Sequence, residues 1–350
     1  MAAPFRDNPD RVLPASVDPD APDRDAQMLA VARAIVPAWA QAQALTARVV
    51  PGGITNLLFR LDAPGCPPLL LRIYGRNTEV VVDRAAENRL FALLSRVGFA
   101  PAYHGRFRNG RLEGFLEGFR ALKPDEMGLP ALRPAIAARL RALHALPVAD
   151  PTPTLWRTLE RWMATACGFT FEGDDAERYR ALDLARQAAT LAGLRRRFEA
   201  EVLPGATSPG ALAAVRPVLA HNDLLSGNIL LNEATGEVRL IDYEYGACSY
   251  AGFDLANHFC EYAGFDSDFA RRFPSTQVRA AVIAAYLGPE ATPDAVADFG
   301  RIVDFFVLPD HLFWGTWAVI QARHSPIDFD FLEYARLRFA GLALHLQQLG

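Results

Sequence analysis

The sequence predicts an α+β protein of two lobes, in which a small lobe of mainly antiparallel strands with one helix precedes a larger, mostly helical lobe. Three observations predict this organisation. The chain has 350 residues, which is long for a single core. Short apolar runs separated by turn residues dominate positions 45–119. Beyond Leu129 the apolar residues recur at helical spacing, interrupted by one hairpin.

The first 25 residues precede these patterns and are rich in Pro, Asp, Ala and Arg. They lack the apolar core of a signal peptide. We expect residues 1–25 to be a flexible tail, residues 26–118 to form the small lobe, and residues 119–350 to form the large lobe.

Within the small lobe, turn signals at Pro51-Gly52-Gly53 and Ala63-Pro64-Gly65 divide residues 45–72 into strands. A helix is predicted over about residues 79–97, with Ala86, Leu90, Leu93 and Leu94 on one face. Two further strands flank the turn Arg108-Asn109-Gly110.

In the large lobe, apolar spacing predicts a series of helices. They are expected around residues 132–143, 155–166, 176–202, 253–262, 276–287, 293–307, 311–322 and 331–349. The hairpin consists of strands at 217–220, 229–231 and 238–241. Residues 302–320 are the most apolar segment, but Asp304, Pro309, Asp310 and His311 interrupt them, so we expect no membrane insertion.

Composition narrows the class of partners. The net charge of −4 and the lack of a basic run argue against nucleic-acid binding. Four scattered cysteines without C-x-x-C spacing indicate neither a zinc site nor a disulfide framework, and they favour a cytoplasmic location.

The chemistry is concentrated around residues 221–228, which we call the catalytic loop. His221, Asp223 and Asn228 fit the kinase template H-x-D-L-x-x-x-N, and Asp242 follows at the end of an apolar strand. Singly, such residues are common in turns. Their order of strand, loop, hairpin and acid favours a phosphotransferase.

This template assigns a role to each polar group. Asn228 and Asp242 offer the oxygen ligands that Mg²⁺ prefers, and Asp223 would orient the acceptor hydroxyl and take its proton. Asp254 is expected to brace the loop or to cap its helix, and His258 is expected to be structural.

A phosphotransferase also needs groups that hold ATP. Gly52, Gly53, Thr55 and Asn56 lie between two predicted strands, where small residues allow main-chain N–H groups to approach phosphates. A simple turn is the alternative reading of the two glycines.

The cation on the phosphates is predicted to be an arginine. Lys123 is the only lysine and lies beyond the predicted strands, whereas Arg72 ends the run Leu69-Leu70-Leu71. Glu87 on the following helix would pair with Arg72, and we expect its neighbours Arg84 and Arg89 to be exposed.

Adenine would meet main-chain groups of the linker after these strands. We place these contacts at residues 113–116, with Glu113 and Phe115 as the candidate positions.

The chain resembles the choline/ethanolamine kinases, within the larger group of aminoglycoside-phosphotransferase-like small-molecule kinases. The matching segments include G-G-I-T-N-L-L-F, L-L-L-R-I-Y-G, G-R-L-E-G-F, H-N-D-L-L-S-G-N-I-L-L, I-D-Y-E-Y, Y-A-G-F-D-L-A-N-H-F-C-E-Y and F-W-G-T-W-A-V-I-Q-A. This resemblance implies a protein-kinase-like fold, ATP and Mg²⁺ as cofactors, and Arg72, Asp223, Asn228 and Asp242 in the roles given above. It also implies an acceptor pocket near Glu244, Tyr250, Trp314, Trp317 and Tyr334.

The residues of this pocket are consistent with a cationic acceptor. Trp314 and Trp317 share a helix face, which by itself is more often part of a core. Aromatic faces bind quaternary ammonium groups, and Glu244 could add a carboxylate. Choline is therefore the first expectation and ethanolamine the second, a choice that the residues leave open.

Two other functions stay open at this point. One is a kinase for an aminoglycoside or amino sugar, which would favour an acidic pocket with few aromatic residues. The other is a non-catalytic module that binds nucleotide or choline, which would have no need of Asp223 beside two metal ligands. A homodimer is also left open.

Overall fold

The computed structural model describes residues 5–51, 56–75, 81–325 and 327–349. The chain divides into two compact units. The first unit runs to Phe119 and includes Arg239–Glu244 and Ser325–Ile327, and the second unit comprises Arg120–Val238, Tyr245–His324 and the chain from Asp328 onward. Asp242 and Glu244 therefore belong to the unit of the N-terminal strands, although the sequence analysis placed them in the large lobe.

A six-stranded sheet forms the centre of the first unit, in the order β1-β5-β6-β4-β3-β2. Only the β1–β5 pair among these neighbours is parallel. A side chain at Gly110 would collide with Arg72 O, so the predicted Asn-Gly turn also suits the close approach of β6 to β4. The strands are β1 (Val12–Leu13), β2 (Thr46–Val50), β3 (Asn56–Asp62), β4 (Leu69–Tyr74), β5 (Tyr103–Phe107) and β6 (Gly110–Gly114), and the helices are α1 (Arg24–Ile35) and α2 (Arg84–Arg96).

The expectation of a loose tail over residues 1–25 is wrong for the part that the structure describes. Strand β1 pairs with β5, and Val17 is fully buried in the core of this unit. Asn109 accepts a hydrogen bond from Val17 N–H and donates one to Val17 O, at 3.0 and 2.8 Å. A few apolar side chains thus fasten a segment of otherwise polar composition.

Helix α2 begins at Arg84 because Asp83 caps it, accepting hydrogen bonds from Ala85 N and Ala86 N at 3.0 Å each. Its buried residues include Arg84, Glu87 and Phe91, whereas Leu93 is exposed. The predicted apolar face was therefore right for Leu94, which is buried, and wrong for Ala86 and Leu93, because buried ion pairs, and not only apolar contacts, hold this helix.

The second unit is mostly helical, so the predicted α+β class is confirmed. Strands β8 and β11 pair antiparallel, and Asn232 N donates to Glu237 O across the turn of the predicted hairpin, at 2.9 Å. The other strands of the described residues are β7 (Phe119–Ala121), β8 (Pro217–Ala220), β9 (Ile229–Asn232), β10 (Val238–Leu240) and β11 (Ala247–Tyr250). The α-helices of the second unit in the described residues are α3 (Pro124–Met127), α4 (Arg133–His144), α5 (Leu155–Cys167), α6 (Gly173–Ala181), α7 (Leu184–Arg197), α8 (Leu203–Gly205), α9 (Pro209–Ala214), α10 (Ala251–Cys260), α11 (Phe269–Arg272), α12 (Thr276–Leu287), α13 (Pro293–His324) and α14 (Phe331–Leu349).

Helix α13 is a single helix of 32 residues, where the sequence analysis predicted two helices. Pro309 lies inside it, and the polar residues Asp310 and His311 are fully buried. Both find a partner on α14, since Asp310 bonds Arg338 and His311 Nε2 bonds His345. Within the described part of the chain, none of the helices combines the length and apolar character that crossing a bilayer requires.

Candidate active site

Arg72 of β4 is buried in the first unit and held by two carboxylates. Its Nε donates to Glu113 Oε1 and its Nη1 donates to Asp242 Oδ1, each at 3.0 Å. Burial lowers the pKa of the Arg72 guanidinium, but the charges of Asp242 and Glu113 outweigh this and raise it above its ordinary value. Arg72 therefore stays charged and is fixed through two of its three nitrogens.

Glu87 does not pair with Arg72 as predicted. Its carboxylate accepts from Arg84 Nη1 at 2.8 Å and from Arg111 Nη1. Fully buried Arg111 also donates from Nε to Glu113 Oε1 at 2.6 Å. Burial raises the pKa of Glu87, but Arg111 and Arg84 lower it to about 2 overall. Arg111 thus connects Glu87 of α2 to Glu113, the carboxylate that also holds Arg72.

The expectation of exposure was right for Arg89 and wrong for Arg84. Arg89 is exposed and pairs with Asp10 at the surface. Arg84 is buried and donates from Nη1 to Glu244 Oε2 at 2.9 Å. An arginine on the polar face of a helix can therefore belong to the interior when carboxylates surround it.

Glu244, assigned to the acceptor pocket, belongs to this buried network of the first unit. Besides Arg84, its Oε2 accepts from Asn56 Nδ2 at 3.2 Å. Single carboxylate oxygens of Glu87, Asp242 and Glu244 lie within 4.8 Å of one another. Arg84 donates to Glu87 and Glu244, and Arg72 donates to Asp242, so each of these three acids already has an arginine partner. Asp242 is the most exposed of the three.

The predicted phosphate loop is described only in part. Gly52, Gly53 and Thr55 lie outside the described residues. Asn56 begins β3, is buried, and accepts from Arg84 Nη2 at its Oδ1 at 3.2 Å. Its side chain therefore bridges Arg84 and Glu244.

The expected adenine contacts at Glu113 and Phe115 need correction. Glu113 lies in β6, not in a linker, and its buried side chain serves Arg72 and Arg111. Phe115 N already donates to Pro68 O at 3.2 Å. These two positions therefore contribute to the sheet and to the arginines, and the Phe115 N–H is occupied.

The catalytic loop belongs to the second unit and is tightly bonded internally. Asn228 Nδ2 donates to Asp223 O and to Asp223 Oδ2, both at 2.9 Å. Asn222 between the template residues has a φ of 64°, in the left-handed region that asparagine tolerates best among residues with a Cβ. Asp242 in the first unit also has a positive φ, of 63°. Such backbone strain concentrates at functional sites.

Asp254 braces the catalytic loop, which confirms its predicted structural role. Its carboxylate accepts from His221 N and Asn222 N at 2.7 Å each, and it lies 2.9 Å from His144 Nε2. Burial raises the pKa of the Asp254 carboxyl, but the bonds and charges of His144 and His221 lower it overall. The acid is therefore a buried anion that fixes two successive main-chain N–H groups of the loop.

The side-chain oxygen atoms of Asn228 and Asp242 fit Mg²⁺ as ligands. Asn228 donates both of its hydrogen bonds through Nδ2, which leaves Oδ1 as the acceptor atom of the amide. Asp242 keeps 22% of its side chain exposed while Oδ1 accepts from Arg72. An amide oxygen and a carboxylate are hard ligands of the kind this ion requires.

Three of the predicted acceptor residues come together in the second unit. The indoles of Trp314 and Trp317 meet edge to face at 5.3 Å, and Trp317 lies 6.5 Å from the ring of Tyr334. Tyr245 completes what we call the aromatic cluster, because its hydroxyl accepts from Trp317 Nε1 at 2.7 Å and its ring lies 5.2 Å from Trp314. The two predicted tryptophans therefore pack against two tyrosines, Tyr245 and Tyr334.

Tyr250 is not part of this cluster. Its ring stacks on Phe306 at 5.3 Å and tilts against Phe198 at 4.9 Å. Burial raises the pKa of its hydroxyl to about 12. Tyr250 thus packs in the core of the second unit, against Phe198 and Phe306, and not beside the two tryptophans with which the acceptor pocket was predicted.

Sequence reasoning missed Tyr245, a member of the cluster, and Glu261 beside it. Glu261 is buried, and Arg338 Nη1 donates to its Oε1 at 3.1 Å and to Tyr334 OH at 3.5 Å. Burial raises the pKa of Glu261 to about 7. Tyr245 lies one residue beyond Glu244, so the alternation of the I-D-Y-E-Y segment was the available signal for it.

Comparison with known proteins gives a consistent result. A family model described as choline/ethanolamine kinase matches residues 47–342. A protein named probable ethanolamine kinase from Arabidopsis thaliana is 35% identical over 300 residues, which cover 83% of this chain and 76% of that protein.

Two solved structures are similar along most of their length. An ethanolamine kinase from Plasmodium vivax has a TM-score of 0.78 at 25% identity, with 92% of this chain and 88% of that chain covered. A choline kinase from Cryptosporidium parvum has a TM-score of 0.73 at 25% identity, with 92% and 95% covered. The chain belongs to the choline/ethanolamine kinase family and is a phosphotransferase that acts on an alcohol group.

Proposed function

We propose that this protein transfers the γ-phosphoryl group of MgATP to the hydroxyl of a small amino alcohol, choline or ethanolamine. The observation that carries the proposal is the aromatic cluster, which lies in the same unit as the loop of Asp223 and Asn228. A binding module has no need of such a loop, and a kinase of aminoglycosides or amino sugars would favour an acidic pocket with few aromatic residues.

The catalytic loop supplies the proton chemistry. Asp223 orients the acceptor hydroxyl and takes its proton as the oxygen attacks phosphorus. Asn228 holds Oδ2 of Asp223 at 2.9 Å, which fixes the carboxylate for this task. Asp254 contributes by holding the main chain of the loop at His221 and Asn222.

The nucleotide is held by charges and metal. When bound, Mg²⁺ neutralises charge on the phosphates and orients them for in-line transfer. Asn228 and Asp242 would hold it. Arg72 would contact the phosphates, with Glu113 fixing its Nε, while Gly52, Gly53 and Thr55 stay predictions for the loop over the phosphates.

The cluster suits a cationic head group. Each aromatic face attracts an ammonium by about 0.5–2 kcal/mol, and two or three faces together distinguish a cation from a neutral alcohol by several tenfold steps. Glu261 adds a buried carboxylate next to Tyr334, which suits the N–H donors of ethanolamine. Relatives of both names support both acceptors.

An ADP-release assay tests the proposal. Purified protein with MgATP is offered choline, ethanolamine, an aminoglycoside or glucose, and ADP is measured by a coupled reaction. Release that depends on choline or ethanolamine supports the proposal, and the ratio of their kcat/KM values gives the preferred acceptor. Release with the aminoglycoside alone, or with none of the four, would overturn it. The cytoplasmic location and the homodimer stay predictions.

A further inference from the structure

A continuous line of buried polar groups in the second unit joins the catalytic loop to the aromatic cluster. Leu224 N donates to Asn257 Oδ1 at 2.6 Å, and Asn257 Nδ2 donates to Asp310 Oδ1 at 3.0 Å. Arg338 Nη2 in turn donates to Asp310 Oδ2. We propose that Asp310 is a positioning residue that couples the geometry of the catalytic loop to that of the acceptor site. This inference rests on the function proposed above.

At the loop end, the line acts next to the proposed base. Leu224 directly follows Asp223, so the bond to Leu224 N fixes the main chain that carries the Asp223 carboxylate. The Asn257 amide uses its oxygen toward the loop and its nitrogen toward Asp310, and rotating the amide by 180° would break both bonds. Asp310 therefore determines which atom Asn257 presents to the loop.

At the acceptor end, the line divides at the guanidinium of Arg338. Nη2 bonds the Asp310 carboxylate and also donates to Asp310 O at 3.2 Å. Nη1 bonds Glu261 at 3.1 Å and reaches Tyr334 OH at 3.5 Å. A planar fork with one arm on Asp310 fixes the direction of the other arm, so Asp310 sets the positions of Glu261 and Tyr334.

Helix α13 gives Asp310 a rigid base for this role. Asp310 precedes Trp314 by four residues, so the acid and the indole lie on the same side of one helix. Asp310 and Asn257 are fully buried and Arg338 is 1% exposed, so water does not compete for these bonds. A change at Asp310 is therefore transmitted to both ends.

Steady-state kinetics of three variants test this coupling. Asp310→Asn keeps the shape of the side chain but removes the negative charge that faces Arg338 and one acceptor oxygen. We expect it to lower kcat about tenfold and to raise KM for the amino alcohol about tenfold, with KM for ATP within about twofold. Asn257→Ser should lower mainly kcat, and Arg338→Lys should raise mainly KM for the amino alcohol. Arg336→Lys, an exposed change on the same helix, is the matched control and should leave all three parameters unchanged.

A double-mutant cycle keeps the test decisive if Asp310→Asn fails to fold. If both residues act through the same line of hydrogen bonds, the double variant Asn257→Ser/Arg338→Lys should lose less kcat/KM than the product of the two single losses. Single-variant effects that multiply in the double variant would overturn the coupling and leave the proposed function standing. An Asp310→Asn enzyme with altered thermal stability but unchanged kinetics would do the same. Absence of amino-alcohol turnover in the unsubstituted protein would overturn the proposed function and this inference with it.

Discussion

Replacing Asp254 with asparagine gives the sharpest prediction, because three hydrogen-bond donors converge on that one buried carboxylate. His221 N and Asn222 N lie 2.7 Å from its oxygens, and His144 Nε2 lies 2.9 Å away. Asparagine keeps one acceptor oxygen and places an NH₂ group where the other stood. One of the two main-chain N–H groups then faces a donor, and the remaining bonds lose the charge.

The size of the effect follows from these bonds. An unsatisfied buried N–H costs about 1–3 kcal/mol, and turning two charge-assisted bonds into neutral ones costs about 1 kcal/mol each. The total is about 3–5 kcal/mol, close to the cost of breaking a buried ion pair. If about 3 kcal/mol of this is relieved by moving the loop out of position, kcat falls about a hundredfold at 1.4 kcal/mol per tenfold.

The assay combines turnover with urea unfolding of Asp254→Asn. We expect kcat to fall about a hundredfold with KM for ATP little changed, together with a clear loss of stability. Asp175→Asn, in an exposed ion pair with Arg178, is the control and should change stability by less than about 1 kcal/mol. A kcat within threefold of the unsubstituted value would refute the bracing role, whatever happens to stability.

Three further predictions test other parts of the site. Asp223→Asn should abolish turnover while ATP still binds in a calorimetric titration; near-normal turnover would reject Asp223 as the base. Arg72→Lys should raise KM for ATP at least tenfold, since one ammonium cannot replace both Nε and Nη1, and an unchanged KM would exclude a phosphate contact. His258→Asn tests the acid stability of the second unit. Burial lowers the pKa of His258 to about 4, so its neutral form stabilises the fold above pH 6.5, and this contribution, about 3 kcal/mol, is lost as the pH falls toward 4. The variant should therefore lose less stability in urea titrations between pH 6.5 and 4 than the unsubstituted protein, and an identical loss would contradict the burial effect.

Local pattern was enough to predict several elements of the second unit. Strand β8 and helix α12 lie at their predicted positions, because turn residues and apolar periodicity are properties of neighbouring residues. The placement of Asp223, Asn228 and Asp242 next to short apolar strands is also a property of neighbouring residues. A catalytic loop bounded by short apolar strands is a local signal, and it needs no knowledge of distant contacts.

Features that depend on distant partners were not predictable in the same way. Val17 is buried against a turn 92 residues away, so its segment looked like a tail. Helix α13 continues through Pro309 because its buried polar groups find partners on α14. Polar residues argue for a break only while those partners are unknown. Sequence spacing carries no information about such pairs.

The buried ion pairs of Arg72, Arg84 and Arg111 show why a residue type was easier to predict than its ion-pair partners. Arg72 was predicted from the sequence as the cation on the phosphates, which stays a prediction. The structure shows it buried in β4, with partners that depend on side-chain reach across a folded sheet. A lysine could bond Glu113 and Asp242 only with the single nitrogen that would also face a phosphate. Arg72 holds its two carboxylates through Nε and Nη1, and its Nη2 takes part in neither bond. The guanidinium can thus be fixed in place and still offer a donor to the nucleotide, which is a physical reason for an arginine at this position in a chain with one lysine.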